Sequence, residues 1–251
     1  MKADAQTALA CLDLTSLNDN DDAHAIEALC NRVVTPFGNV AAVCVWPRFV
    51  AQARAALPAS IGVAAVANFP AGALDEGLAL ADTQAIVDAG GDEVDLVLPW
   101  RAMLEGQAVA AGKLVERVRA ASAGKGLKLI IESGELPSAA AIAQASRIGL
   151  DAGVDFLKTS TGKTAHGASL DAARVMLAAI AAQSRPVGFK AAGGIRTVAD
   201  AADYIALVRQ TLGVAAAAPQ RLRFGASGLL ADIERVLSGS GGGAPEPASS
   251  Y

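Results

Sequence analysis

Eight short apolar segments, each followed by a longer amphipathic one, constrain this chain more than any other feature of its sequence. The predicted strands cover residues 9–14, 40–46, 61–68, 93–99, 127–132, 154–159, 186–191 and 221–226. Their starts lie roughly 20 to 35 residues apart, the length of one strand plus one returning helix in a βα unit. The intervening segments carry helix signals. Across 197–212 the apolar Val198, Ala201, Ala202, Ile205, Val208 and Leu212 recur at three- and four-residue steps, with Thr197 as cap and Asp200 in the first turn. Gly90, Gly124, Gly153 and Gly213 follow helices, where a left-handed residue closes the last turn. Eight such units in 251 residues predict an α/β fold, a single (β/α)8 TIM barrel. A doubly wound open sheet uses the same alternation. The barrel is favoured because no GxGxxG follows the first strand and unusual polar residues recur at the C-terminal ends of several strands. One catalytic domain is expected over residues 1–238, and a flexible tail over 239–251, where Gly-Gly-Gly and Pro-Glu-Pro have linker composition before the terminal Tyr251.

The composition is 53% hydrophobic and only 4% aromatic, so the core is expected to be Ala, Val, Leu and Ile. A net charge of -4 gives no general attraction to nucleic acid or anionic lipid, so an anionic partner would have to be a small molecule held locally. Cys11, Cys30 and Cys44 are an odd set without CxxC spacing, beside only two histidines, which argues against a disulfide framework or a zinc site. Buried free thiols in a reducing compartment are expected. The first twelve residues contain Asp4 and a five-residue apolar run, too short for a signal-peptide core, and no later stretch approaches ~18 apolar residues. A cytoplasmic, soluble protein is expected.

Three ionisable groups stand inside apolar strands: Asp95 in Glu-Val-Asp-Leu-Val-Leu-Pro, Lys158 in Val-Asp-Phe-Leu-Lys-Thr-Ser-Thr-Gly-Lys, and Lys190 in Val-Gly-Phe-Lys-Ala-Ala-Gly-Gly. An ammonium group loses hydration when buried and rarely sits inside without a partner. In a closed barrel every second residue points inward, so Lys158 shares its face with Phe156, and Lys190 shares its own with Gly188, which leaves room beside the neighbouring strand. Adjacent sixth and seventh strands would bring the two amines together. A like charge and partial desolvation both favour a free amine, which attacks a carbonyl to form a Schiff base. On this reading one lysine is the nucleophile, the other stays charged, and Asp95 relays protons or orients a water. A salt bridge lining the barrel is the competing explanation.

A second constellation gathers backbone donors. Thr161, Gly162 and Lys163 follow the sixth strand, Gly193, Gly194 and Arg196 the seventh, and Gly225, Ser227 and Gly228 the eighth, ahead of a last helix. Glycines let N–H groups approach an anion, and the loops after strands seven and eight are where barrels commonly hold phosphate. Near the first strand end, Asp13, Thr15 and Asn18 could bind sugar hydroxyls, although helix capping explains Asn18, Asp19 and Asn20 equally well. Cys44 could lie near the site, or be a core thiol. Glu132 could support the lysines by charge balance.

In order along the chain, Leu-Asp-Leu-Thr-Ser-Leu-Asn, Cys-Val-Trp-Pro-Arg-Phe, Ile-Ile-Glu-Ser-Gly-Glu-Leu, Phe-Leu-Lys-Thr-Ser-Thr-Gly-Lys and Gly-Phe-Lys-Ala-Ala-Gly-Gly-Ile-Arg resemble the deoxyribose-phosphate aldolase family in its long bacterial form. The resemblance implies a class I aldolase that splits 2-deoxy-D-ribose 5-phosphate into D-glyceraldehyde 3-phosphate and acetaldehyde in deoxyribonucleotide catabolism, with no metal or cofactor. It gives Lys158 the Schiff-base role, Lys190 the tuning role, Asp95 the proton relay, and Tyr251 assistance in proton transfer. By their places at strand ends and loops, Asp13, Thr15, Asn18, Cys44 and Thr161 are the expected substrate contacts; the resemblance matches the glycine-rich loops to a phosphate pocket and suggests a homodimer. Gly228 stands where the family has a second serine, and Ala191 where it has proline. A phosphosugar isomerase or epimerase, or a silent barrel that only binds a phosphorylated metabolite, are the rival readings.

Overall fold

Side chains alternate along a strand, so each strand of a closed barrel sends one set of residues toward the surrounding helices and the other into the lumen. In the computed structural model, which describes residues 1–239, eight strands close this way: β1 (Leu12–Thr15), β2 (Ala42–Val45), β3 (Gly62–Ala67), β4 (Glu93–Val97), β5 (Gly126–Ile130), β6 (Phe156–Lys158), β7 (Gly188–Ala192) and β8 (Leu222–Ala226). All pairings around the barrel are parallel, and β8 returns to β1 through Asp13 opposite Gly225. The expected TIM barrel is therefore the observed fold.

The outward set is apolar. Val94, Leu96, Leu129, Leu157, Phe189 and Phe224 are all fully buried in the layer between strands and helices. Each such side chain contributes about 1.5–3 kcal/mol by leaving water, so this layer holds the barrel together. Its helices end as the sequence indicates. Thr197 accepts from the Asp200 N–H, while the Asp200 carboxylate accepts from the Thr197 N–H, a capping box on the helix Val198–Leu212. Gly90, Gly124, Gly153 and Gly213 all have φ between 79° and 90°.

Two local expectations need correction. Leu9 and Ala10, expected to open the first strand, belong to a helix, Lys2–Ala10, in which Ala5, Ala8 and Leu9 are buried at helical spacing. The apolar run straddles a helix end and a strand start, so its hydrophobicity alone could not divide them. Asp22, rather than Asn18, Asp19 or Asn20, caps the helix Ala23–Cys30, accepting from the Ala25 N–H at 2.8 Å. A small antiparallel pair, Val34–Thr35 with Gly38–Asn39, lies outside the barrel. All three cysteines are buried and free. Among the described residues no helix is long and apolar enough to cross a membrane. The last described helix, Leu229–Ser238, ends at Gly239 with φ 77°, and the remainder of the expected tail, including Tyr251, lies outside the described residues.

Candidate active site

The inward set is charged where most barrels of this kind stack branched apolar side chains. Asp95 on β4 accepts from Lys128 at Oδ1 (2.8 Å) and from Lys190 at Oδ2 (2.8 Å). Lys190 also reaches Asp13 Oδ2 at 2.6 Å, and Asp13 Oδ1 accepts from Arg223 at 2.6 Å. Arg223 continues to Glu93 Oε1 at 2.9 Å, and Glu93 Oε2 returns to Lys128 at 2.5 Å. Six side chains thus form a closed ring of alternating sign, Asp95, Lys128, Glu93, Arg223, Asp13 and Lys190, with three anions and three cations. Lys158 is outside this ring and attached to it. Its Nζ lies 2.8 Å from Asp95 Oδ2, the oxygen that also holds Lys190. The register puts Lys158 directly opposite Lys190 on the neighbouring strand.

The charges fix one another. Burial alone would raise the carboxyl of Asp95, but Lys128, Lys158 and Lys190 outweigh it and hold Asp95 well below the usual carboxylate range. Asp13 is likewise lowered against its burial, mainly by Arg223 and then Lys190. Burial opposes the ammonium of Lys190, yet Asp13 and Asp95 win and raise it above the ordinary lysine range. Backbone choices make space for the ring. A Cβ at Gly188 would run into the Phe156 ring, and one at Gly225 would lie 3.0 Å from Cε of Lys190.

Above the ring, at the C-terminal ends of the strands, the β6, β7 and β8 loops enclose a cavity of ≈ 270 Å³ with Lys158 in its wall. Thr161 and Gly162 line it from the first loop, Gly193, Gly194 and Arg196 from the second, and Gly225, Ser227 and Gly228 from the third. Gly162, Gly193 and Gly194 have φ of 79°, 85° and 89°, conformations that turn the backbone without a Cβ penalty. The third loop leads into the helix Leu229–Ser238, whose positive dipole end therefore lies beside the cavity. Thr159 ties the first two loops together, its hydroxyl donating to the Ala192 carbonyl and accepting from the Ala192 N–H, both at 3.0 Å. Glu132, at the end of β5, has a left-handed φ of 51° and is fully buried. Its carboxylate accepts from the Thr161 N–H at 3.1 Å, so it braces the β6 loop, and burial pushes its carboxyl upward.

A family model described as DeoC/LacD family aldolase matches residues 7–233. The chain belongs to the DeoC/LacD aldolase family. A curated relative, deoxyribose-phosphate aldolase of Agrobacterium fabrum (strain C58 / ATCC 33970), is 47% identical over 249 residues, covering 98% of this chain and 95% of that protein. Among solved structures, a protein of Coccidioides immitis provisionally assigned the same activity is 27% identical with a TM-score of 0.81, covering 92% of this chain and 86% of that one. The tetrameric deoxyribose phosphate aldolase of Aeropyrum pernix, 22% identical with a TM-score of 0.73, covers 95% of this chain and 94% of that one, and shares the fold.

In this family aldolase the sequence-predicted residues fall into three groups. Lys158, Lys190 and Asp95 come together in one hydrogen-bonded cluster. Thr15 and Thr161 line the cavity with the glycine-rich loop residues already named. The others stand apart from it. Asp13 is fully buried in the ring, with both oxygens engaged. Cys44 is fully buried with Sγ 3.8 Å from Asp95 Oδ2, and burial raises its thiol. Asn18 donates to Asp21 Oδ1 at 3.0 Å, and the ammonium of Lys163 lies 3.8 Å from Asp19. Sequence reasoning missed Glu93, Lys128 and Arg223. Glu93 could have been found by period two from Asp95, and Arg223 by the same step back from Gly225.

Proposed function

We propose that this chain is a class I aldolase that reversibly cleaves 2-deoxy-D-ribose 5-phosphate to D-glyceraldehyde 3-phosphate and acetaldehyde, through a Schiff base on Lys158. The observation that carries the proposal is the charge arrangement: a neutral six-membered ring with one further lysine bound to it at the cavity wall. Each cation of the ring bonds two carboxylates, so loss of its proton would take a partner from both, whereas Lys158 bonds Asp95 alone. Lys158 can lose its proton while Asp95 keeps Lys128 and Lys190. The charged Lys190 stands directly opposite Lys158 on the neighbouring strand.

In the cleavage direction the Lys158 amine adds to C1 of the open-chain sugar, and the carbinolamine loses water to give an iminium. A base removes the C3 hydroxyl proton, the C2–C3 bond breaks, and its electron pair flows into the iminium to form an enamine. A two-carbon product fixes C2–C3 as the scissile bond. Glyceraldehyde 3-phosphate leaves carrying C3 as its aldehyde, C2 of the enamine takes a proton, and hydrolysis releases acetaldehyde and the free amine. Because Asp95 is held ionised, its part in proton transfer is to orient a water beside Lys190 rather than to store the proton. Tyr251 is the proposed second proton donor; truncating it should slow turnover and exchange of acetaldehyde methyl protons more than it weakens phosphate binding, as steady-state kinetics and proton NMR would read.

The phosphate is assigned to the backbone donors of Gly162, Gly193, Gly194, Gly225 and Ser227 with the Arg196 side chain, around the cavity beside the last helix. Asp13 and Cys44 act through the ring. The free, buried thiols suit a reducing cytoplasm, and a homodimer is the proposed assembly, which light scattering would test. The central experiment is incubation with 2-deoxy-D-ribose 5-phosphate followed by an assay for acetaldehyde, with borohydride trapping of acetaldehyde on the protein. Release of acetaldehyde without any trapped adduct would reject the Schiff base. Interconversion of sugar phosphates without acetaldehyde would favour an isomerase.

A further inference from the structure

The mechanism above uses Lys158, Lys190 and Asp95 and gives no task to Glu93 or Arg223. These two residues lie at the N-terminal side of their strands, away from the cavity, and close the ring through an ion pair of 2.9 Å. They are also the least enclosed members of the ring, with side chains 14% and 11% exposed, where the other four are fully buried. We propose that Glu93 and Arg223 are positioning residues that set the charge felt by Lys158, so that the pH dependence of imine formation is controlled from the far end of the barrel. This inference rests on the Schiff-base reading of Lys158.

The argument is one of counting charge in a dry lumen. Lys158 bonds Asp95 from β4 and stands opposite Lys190 on β7, near Cys44 from β2 and Glu132, two residues beyond β5; Lys128 from β5 and Asp13 from β1 bond the same Asp95–Lys190 pair, and Arg196 lines the same cavity wall. Glu132 and Cys44 are unchanged in any variant that alters only the ring, so a difference in the field at Lys158 between such variants is a difference in the ring. The ring sums to zero while Glu93 and Arg223 are both charged, and would do so again only with both neutralised together. Arg223 anchors Asp13, which anchors Lys190, and Glu93 anchors Lys128, which with Lys190 fixes Asp95. Both paths therefore end on the carboxylate that holds Lys158. A purely structural ion pair would also tie β4 to β8 across the lumen, and removing either partner would then weaken the barrel in the same direction. A charge-setting pair behaves differently, because the two partners have opposite sign.

The test is the pH profile of borohydride trapping with acetaldehyde, followed by intact-protein mass spectrometry on the full chain. Glu93→Gln leaves the ring with one excess positive charge, which favours the free amine and should move the trapping midpoint down by about 0.5 to 1 pH unit. Arg223→Gln leaves one excess negative charge and should move it up by a similar amount. The double exchange restores neutrality, and its midpoint should return to that of the unaltered enzyme. Shifts of the same sign in the two single variants, or midpoints that stay put while only the yield of adduct falls, would overturn the inference. If circular dichroism shows a single variant to be unfolded, the double variant decides: a midpoint displaced from that of the unaltered enzyme refutes charge setting, and a coincident one supports it. An unaltered enzyme that traps no acetaldehyde at any pH would instead remove the Schiff-base reading itself.

Discussion

The two faces of the same eight strands are built on opposite principles. On β4, Val94 and Leu96 point to the helices and are fully buried among apolar neighbours, while Glu93 and Asp95 point inward and bond to lysines and arginine. The outward layer is stabilised by area removed from water, a contribution that tolerates no cavity but needs no particular geometry of charge. The inward ring costs desolvation for every member, and a buried ion network of this kind is weak evidence for stability. The difference teaches that the fold is held from outside the barrel, and that the lumen is free to hold groups whose value is chemical.

The largest effect that would sharpen this contrast is expected at Lys158. Because it lies outside the neutral ring, Lys158→Ala should lower turnover at least about 10³-fold and abolish borohydride trapping, yet keep the thermal midpoint within a few degrees of the original. Adduct formation that survives the exchange would break the assignment. The converse change lies in the outer layer. Phe189 is fully buried and stacks on Tyr204 with ring centroids 6.3 Å apart, so Phe189→Ala should cost about 3–5 kcal/mol in urea unfolding while the folded fraction retains its turnover. A large loss of turnover in folded protein would mean that the two faces are coupled.

Acid should discriminate the faces more gently. Asp13 and Asp95 have carboxyls lowered on folding, so the stability they contribute is present above their unfolded value near ~4 and is lost as pH falls toward their folded values. Thermal midpoints should therefore stay level from neutrality to about pH 4 and decline below it, with a shallower decline in Asp13→Asn. A decline that begins well above that range would point to other groups. The smallest effect is expected at the cavity rim. Gly228 has φ -90° and open space where a Cβ would stand, so Gly228→Ser should fit without strain and lower KM for the phosphorylated substrate about two-fold through one added hydroxyl contact. The same exchange should leave KM for an unphosphorylated aldehyde unchanged.

Much of this was legible from the residues alone, for a physical reason. Asp95, Lys158 and Lys190 interrupt apolar runs, and a charge within a buried strand demands a partner. The glycine-rich loops after strands six to eight announced themselves by composition. Lys128 did not, because Gly-Leu-Lys-Leu-Ile reads as an alternating strand with one wet face; only closure of the barrel turns that face inward. Arg223 was hidden in the same way by Arg221 two positions earlier, whose guanidinium instead donates to the Val187 carbonyl at 2.8 Å. Asp13 was read as a sugar-binding residue since the pattern located it at a strand end, whereas its direction depended on a lysine 177 residues away. Strand identity is local information, and ring membership is not.

A closed loop of paired charges has no terminal member. Any single exchange within it takes one partner from each of two neighbours and leaves the loop with a net buried charge, so sequence drift in the lumen must proceed by compensated swaps, a cation and an anion changing together. Relatives that depart from this chain at Glu93 should therefore depart at Arg223 or Lys128 as well, and engineering for new aldehydes has more freedom in the loops above than in the barrel beneath them.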